Sequence, residues 1–198
     1  LLNANSYALT TGTISARIGG AASTVTKTGS TYTNTATLSG ANTYGGITSL
    51  GSTSGSLIIA DNSALGSTPS IDVVGTGTAL VLANGITVTG KPITIRGTGA
   101  NNGSAGSFGG SLTTSPSATA TWTGTITLGD ATGRLGAGTS GTLHITGPIL
   151  GSVANQNISL SSGSGSTLGT TVLSGANNFT GNISIVRGNL KLGAANTL

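Results

Sequence analysis

Asp61, Asp72 and Asp130 are the only acidic side chains among the 198 residues, and His144 is the only histidine. Those four groups bound the acid–base chemistry the chain can perform. Cleavage of a polysaccharide, the reaction many β-rich repeat proteins carry out, uses two carboxyl groups about 5–10 Å apart. Asp61 lies in Asp-Asn-Ser and Asp130 follows Gly129, positions where aspartate bonds nearby backbone to turn the chain. Asp61 and Asp72 are the one pair that could meet on adjacent turns of a repeating fold. His144 sits in Leu143-His144-Ile145, where strand alternation directs it away from the apolar side. With no cysteine, no glutamate and no aspartate close to it in sequence, it assembles neither a metal site nor a nucleophilic triad. The expectation is no catalytic residue, no metal ligand and no cofactor site.

Other motifs point to binding chemistry and stop short of it. Gly97-Thr98-Gly99 and Gly106 to Gly110 are glycine-rich, yet they lack the Lys-Ser/Thr and following helix of a phosphate loop. They also lack the Gly-Gly-x-Gly-x-Asp pattern of calcium-binding β-rolls. Residues 98–111 are expected to form a protruding loop, and that loop or the surroundings of Trp122 are where a ligand-binding feature is expected. Thr-x-Thr pairs occur at Thr24/Thr26, Thr33/Thr35, Thr76/Thr78, Thr87/Thr89 and Thr119 to Thr127. Ice binding would need such pairs at one spacing on consecutive turns, and these spacings are irregular. Threonine is also a good exposed strand residue. Asn102, Asn157, Asn178 and Asn182 each open an Asn-x-Ser/Thr triplet, as chance provides in a chain so rich in these residues.

The charge pattern excludes further classes. Charged residues are 5% of the chain, against about a quarter in an average protein. The net charge of +4 comes from scattered Lys27, Lys91, Lys191, Arg17, Arg96, Arg134 and Arg187, not from the clustered basic patch of a nucleic-acid surface. No run approaches the ~20 apolar residues of a membrane helix, so no membrane insertion is expected of this segment. Leu1-Leu2-Asn3-Ala4-Asn5 lacks the basic start and apolar run of a signal peptide, and a chain starting on Leu reads as processed or truncated. Mean hydropathy is +0.25, too high for a disordered chain. With two Phe, three Tyr and one Trp, the core must be filled mainly by Val, Ile, Leu and Ala.

The elements that position these residues are short strands. Apolar residues alternate with Thr, Ser or Ala over 13–18, 36–39, 57–60, 71–74, 79–82, 86–89, 93–96, 125–128, 143–146, 158–161, 171–174, 183–186 and 190–192. Gly, Asn, Asp and Pro separate them at intervals of about 8–12 residues, and helical patterning is missing. One block repeats: Leu38-Ser39-Gly40-Ala41-Asn42-Thr43-Tyr44 returns as Leu173-Ser174-Gly175-Ala176-Asn177-Asn178-Phe179. Gly46 is answered by Gly181, Gly55-Ser56-Leu57-Ile58-Ile59 by Gly188-Asn189-Leu190-Lys191-Leu192, and, loosely, Gly12-Thr13-Ile14 by Gly141-Thr142-Leu143. Short strands, glycine and asparagine corners and a long internal repeat predict an all-β parallel β-helix with about three strands per turn and about eight or nine turns, spanning residues 1–198 as one domain.

The Leu-Ser-Gly-Ala-Asn-(Thr/Asn)-(Tyr/Phe)-x-Gly block, followed by Gly-x-Leu-x-(Ile/Leu) and by Asn62-Ser63-Ala64-Leu65-Gly66, resembles the autotransporter-associated β-strand repeat, also called the passenger-associated transport repeat. The copies cover about residues 25–66 and 165–198, the second closing on Gly193-Ala194-Ala195-Asn196-Thr197-Leu198. The resemblance implies a right-handed parallel β-helix at the bacterial cell surface or outside the cell, and it brings no catalytic residues. No C-terminal barrel segment accompanies it, so any membrane translocator lies outside this chain or is absent.

The expected function is structural: an extracellular β-helical rod, part of a passenger stalk or a self-assembling fibre. An adhesin binding glycans or host-surface ligands is the alternative, and a polysaccharide-degrading enzyme a distant third. Leu1-Leu2 and Leu198 are not polar caps, and open sheet ends invite pairing. End-to-end self-association, or continuation into a longer chain, is therefore expected.

Overall fold

The computed structural model describes residues 1–31, 33–51, 53–99, 109–130, 132–151, 156–162 and 166–193. Their regular secondary structure is all strand, and every strand pairing is parallel. The chain visits three sheets in rotation and so winds a parallel β-helix. Sheet I stacks Ser6–Leu9, Thr24–Lys27, Thr48–Leu50, Ile71–Thr76, Ile93–Gly99, Ile126–Leu128 and Ile149–Gly151. Sheet II stacks Gly12–Ile14, Thr35–Leu38, Gly55–Ile59, Thr78–Leu82, Leu112–Thr114, Thr132–Leu135, Asn157–Leu160 and Ile183–Ile185. Sheet III stacks Thr87–Val88, Thr119–Trp122, Thr142–Ile145, Thr170–Leu173 and Asn189–Leu192. Eight strands in sheet II mean seven intervals of about 4.8 Å, a rod roughly 34 Å long.

Each sheet presents one row of aliphatic side chains to the interior. Ala36, Leu57, Leu80, Leu112, Leu135 and Leu160 are successive register partners in sheet II, and all are buried. Ile71, Ile93, Ile126 and Ile149 do the same in sheet I, and Val88, Trp122, Ile145 and Leu173 in sheet III. Burying each such side chain contributes about 1.5–3 kcal/mol. Thr and Ser at intervening positions face outward, as in Thr24–Lys27 and Thr142–Ile145. Thr78–Leu82 departs from this pattern: it is buried on both sides, with Ala79, Val81 and Ile58 clustered outside sheet II. Its unbroken Ala-Leu-Val-Leu run carries the signature of a strand buried on both faces. Aliphatics fill most of the core as expected, but Trp122 and Tyr44 are its largest fully buried side chains.

The alternating segments read from sequence fall on strands, with ends shifted by up to three residues. Residues 13–18 are the exception, broken between Gly12–Ile14 and Ile18–Gly19. Ser6–Leu9, Thr48–Leu50, Leu112–Thr114, Thr132–Leu135 and Ile149–Gly151 carry no clear apolar alternation and become strands because neighbouring turns pair with them. Thr24–Lys27 and Thr119–Trp122 are further strands that do alternate, ending on Lys27 and Trp122.

The third side is irregular at its N-terminal end. Leu2–Asn3 pairs with Ile18–Gly19, and the next two turns pass through residues 41–46 and 62–67 without a strand. Asparagine amides there supplement irregular backbone bonds such as Thr43 N to Ile18 O at 2.9 Å and Asn42 N to Ser63 O at 3.2 Å. Asn42 Oδ1 accepts from Ile18 N at 2.9 Å and its Nδ2 donates to Ala64 O at 2.7 Å, tying three turns together. Asn62 Oδ1 accepts from Thr87 N and Asn84 Oδ1 from Thr119 N. These corner amides satisfy backbone groups that would otherwise be orphaned.

The two repeat copies are stacked alike but lie on different faces. Thr35–Leu38 belongs to sheet II and Thr170–Leu173 to sheet III, so the internal repeat spans five turns and one further face. Strand pairings carry the same shift throughout. Leu38 pairs with Ile59 as Leu173 pairs with Leu192, and Lys27 pairs with Leu50 as Leu160 pairs with Ile185. Asn177 Oδ1 accepts from Ile149 N at 2.9 Å, the counterpart of Asn42 with Ile18. The loose sequence match of Ile14 to Leu143 moves by two residues: Ile14 pairs with Leu38 as Ile145 pairs with Leu173.

Candidate functional site

The titratable residues are dispersed over the coil. Asp61 lies past the end of Gly55–Ile59, and its Oδ1 accepts from Ser63 N at 2.7 Å, the turn role expected of it. Asp72 projects from sheet I, where its Oδ1 is 3.2 Å from Arg96 Nε in a half-exposed ion pair. Asp61 and Asp72 therefore stand on different faces and do not form a carboxylate pair. Asp130 is exposed, and its backbone carbonyl accepts from the buried Gln156 Nε2 at 2.8 Å. His144 points outward from sheet III between Thr121 and Val172. Among the described residues, no three His, Asp, Glu or Cys side chains gather as metal ligands.

Trp122 overturns one expectation. Its indole is fully buried in the sheet III core row, between Val88 and Ile145, and its Nε1 has no hydrogen-bond partner. Strand alternation explains this: Ala120 and Trp122 share the inward side while Thr119 and Thr121 face out. It presents no aromatic platform to a glycan. Of the expected 98–111 loop, Thr98 and Gly99 instead finish the strand Ile93–Gly99, and Gly109, Gly110 and Ser111 are buried. Residues 100–108, with Asn102, lie outside the described residues, as do Ala194 to Leu198 at the end of the second repeat block.

Threonines form a short outward column on sheet III, where Thr119, Thr142 and Thr170 are register partners. The neighbouring column runs Thr87, Thr121, His144, Val172, Lys191, so the surface is not a regular two-dimensional threonine array.

Lys27 is the residue whose setting sequence reading did not bring out. It occupies the inward row of sheet I, between Leu9 and Leu50, and is 1% exposed. Its ammonium donates to Thr10 O at 2.9 Å, to Thr28 O at 2.7 Å and to Ser54 O, carbonyls from three successive turns. Burial lowers its pKa to about 8. The alternation of Thr24-Val25-Thr26-Lys27 was the available signal, because it places Lys27 on the side of Val25. A second buried polar chain joins Tyr44 Oη to Thr48 Oγ1 at 2.8 Å, Thr48 to Thr68 at 3.3 Å, and Thr68 Oγ1 to Ser70 O at 2.9 Å. Both groups satisfy their own polar atoms within the coil rather than facing a ligand. An open cleft at the N-terminal end, lined by Asn3, Ala4, Asn5 and residues 20–23, contains no acidic or histidine side chain.

The chain matches no protein-family model, no curated protein and no solved structure.

Proposed function

We propose that this chain is a structural segment of an extracellular β-helical rod, part of a bacterial surface stalk or a self-assembling fibre. The observation that carries this reading is which residues recur between the repeat copies. Leu38/Leu173, Gly40/Gly175, Asn42/Asn177, Tyr44/Phe179, Leu57/Leu190 and Ile59/Leu192 are core or corner positions. The outward partners Thr37/Val172 and Ile58/Lys191 differ in kind. Most of what recurs stacks the turns, and the outward residues that also recur, Thr35/Thr170, Ser39/Ser174, Ala41/Ala176 and Ser49/Ser184, are small and uncharged, which fits a unit selected to build length. The resemblance to passenger repeats and the scarcity of charge agree with this reading. Among the described residues, no helix is long and apolar enough to cross a membrane.

The terminal turns supply the means of assembly. Leu1 and Leu2 are exposed at one end and Ile185, Val186 and Leu192 at the other. Stacking on a further turn, in the same chain or in a copy, would cover them. The test is immunogold electron microscopy of the source cells with antibody against this chain. Label on extended surface stalks or fibres is expected, and label confined to the cell interior would overturn the proposal.

A further inference from the structure

The repeat shows which turn the C-terminal edge is shaped to receive. Ile183–Ile185 corresponds to Thr48–Leu50, and Asn189–Leu192 to Gly55–Ile59, because each pair of strands stacks on equivalent predecessors: Leu50 on Lys27 as Ile185 on Leu160, and Ile59 on Leu38 as Leu192 on Leu173. Inside the coil the first-copy strands carry a known next layer. Ile71 and Val73 pair with Thr48 and Leu50, while Leu80 and Leu82 pair with Leu57 and Ile59. Under that layer Leu50, Leu57 and Ile59 are completely buried. At the edge, by contrast, Ile185 is 53% exposed and Leu192 49%.

We infer that the edge formed by Ile183–Ile185 and Asn189–Leu192 binds a parallel β-helical turn with the chemistry of residues 71–82: Ile-x-Val against Ile183 and Ile185, then Leu-x-Leu against Leu190 and Leu192. This rests on the rod reading and deepens it. Because the copies are offset by one face, the incoming strands add to sheets II and III, whereas Ile71–Thr76 and Thr78–Leu82 lie in sheets I and II. The occupant is thus a turn of this stated chemistry. The N-terminal turn of a second copy would bring Gly12 and Ile14 over sheet II instead.

Leu192 corresponds to Ile59, so Leu198 corresponds to Leu65, and a second Gly66–Gly90 segment can be joined directly after Leu198 in the repeat's own phase. Three extended chains serve as the test: one with residues 66–90, one with that appended segment carrying Ile71→Ser, Val73→Ser, Leu80→Ser and Leu82→Ser, and one with residues 1–25. Amide hydrogen exchange is read at Ile183 to Leu192, with the amides of 71–82 in the original position reporting that the coil is folded. The native extension is expected to slow exchange at the edge at least tenfold, and the serine version to leave it unchanged. Unchanged exchange with the native extension on a folded coil would overturn the inference, as would equal protection by residues 1–25. Neither result bears on where the protein resides, so the rod reading is judged separately by the microscopy.

Discussion

Replacing Asn42 by alanine tests whether the repeated Leu-Ser-Gly-Ala-Asn block works by stitching turns. Asn42 is buried, accepts from Ile18 N at 2.9 Å in the turn before it and donates to Ala64 O at 2.7 Å in the turn after it. Alanine removes both bonds and leaves a buried N–H and a buried C=O without those partners. A buried group left unsatisfied costs about 1–3 kcal/mol, so the two come to roughly 2–6 kcal/mol. That is a large fraction of the 5–15 kcal/mol by which domains are typically stable. Asn177→Ala is expected to cost less, because its bond to Ile149 N is only part-buried. Urea titration followed by far-ultraviolet circular dichroism gives the global change, and hydrogen exchange of the Ile18 amide gives the local one. A solenoid can melt in stages, so the local reading decides. If Asn42→Ala stays within about 0.5 kcal/mol of the unmodified chain, well below the cost of even one orphaned buried group, and Ile18 keeps its protection, the stitching argument fails.

Trp122→Ala should destabilise the coil by about 3–5 kcal/mol, because it empties a fully buried indole site; a loss of glycan binding with stability intact would contradict that placement. Lys27 should give a pH signature. Its folded pKa is lowered to about 8, so between there and the ordinary value near 10.5 the unfolded chain holds a proton the folded chain has released. Stability should therefore be level below pH 8 and rise with pH above it, and Lys27→Leu should flatten the rise in urea midpoints measured from about pH 7 to 9.5. Gly124→Ala would place a Cβ 1.8 Å from Lys91 O and should destabilise strongly, whereas Gly51→Ala meets nothing within 4 Å and should be neutral; comparable thermal midpoints for the two variants would refute the close-stacking account of the sheet III–I corner.

Sequence alone determined the strand periodicity, the number of turns to within about one, and the repeat. These are local: alternation at period two places Leu143 inward and His144 outward wherever the strand lies. Turn chemistry placed Asp61 in its turn, and the alternation of Thr24–Lys27 and Thr119–Trp122 carries the inward placement of Lys27 and Trp122. Tertiary structure decided what depends on winding. Residues 135 apart prove to lie on different faces because the coil closes five turns and a third between them, a quantity set by corner lengths and not by any one segment. It also decided that Asp61 and Asp72 stay apart, and that three carbonyls from separate turns converge on one ammonium. A pattern of neighbours along the chain fixes which side of a strand a residue takes, but only the stacking of turns fixes what it meets there.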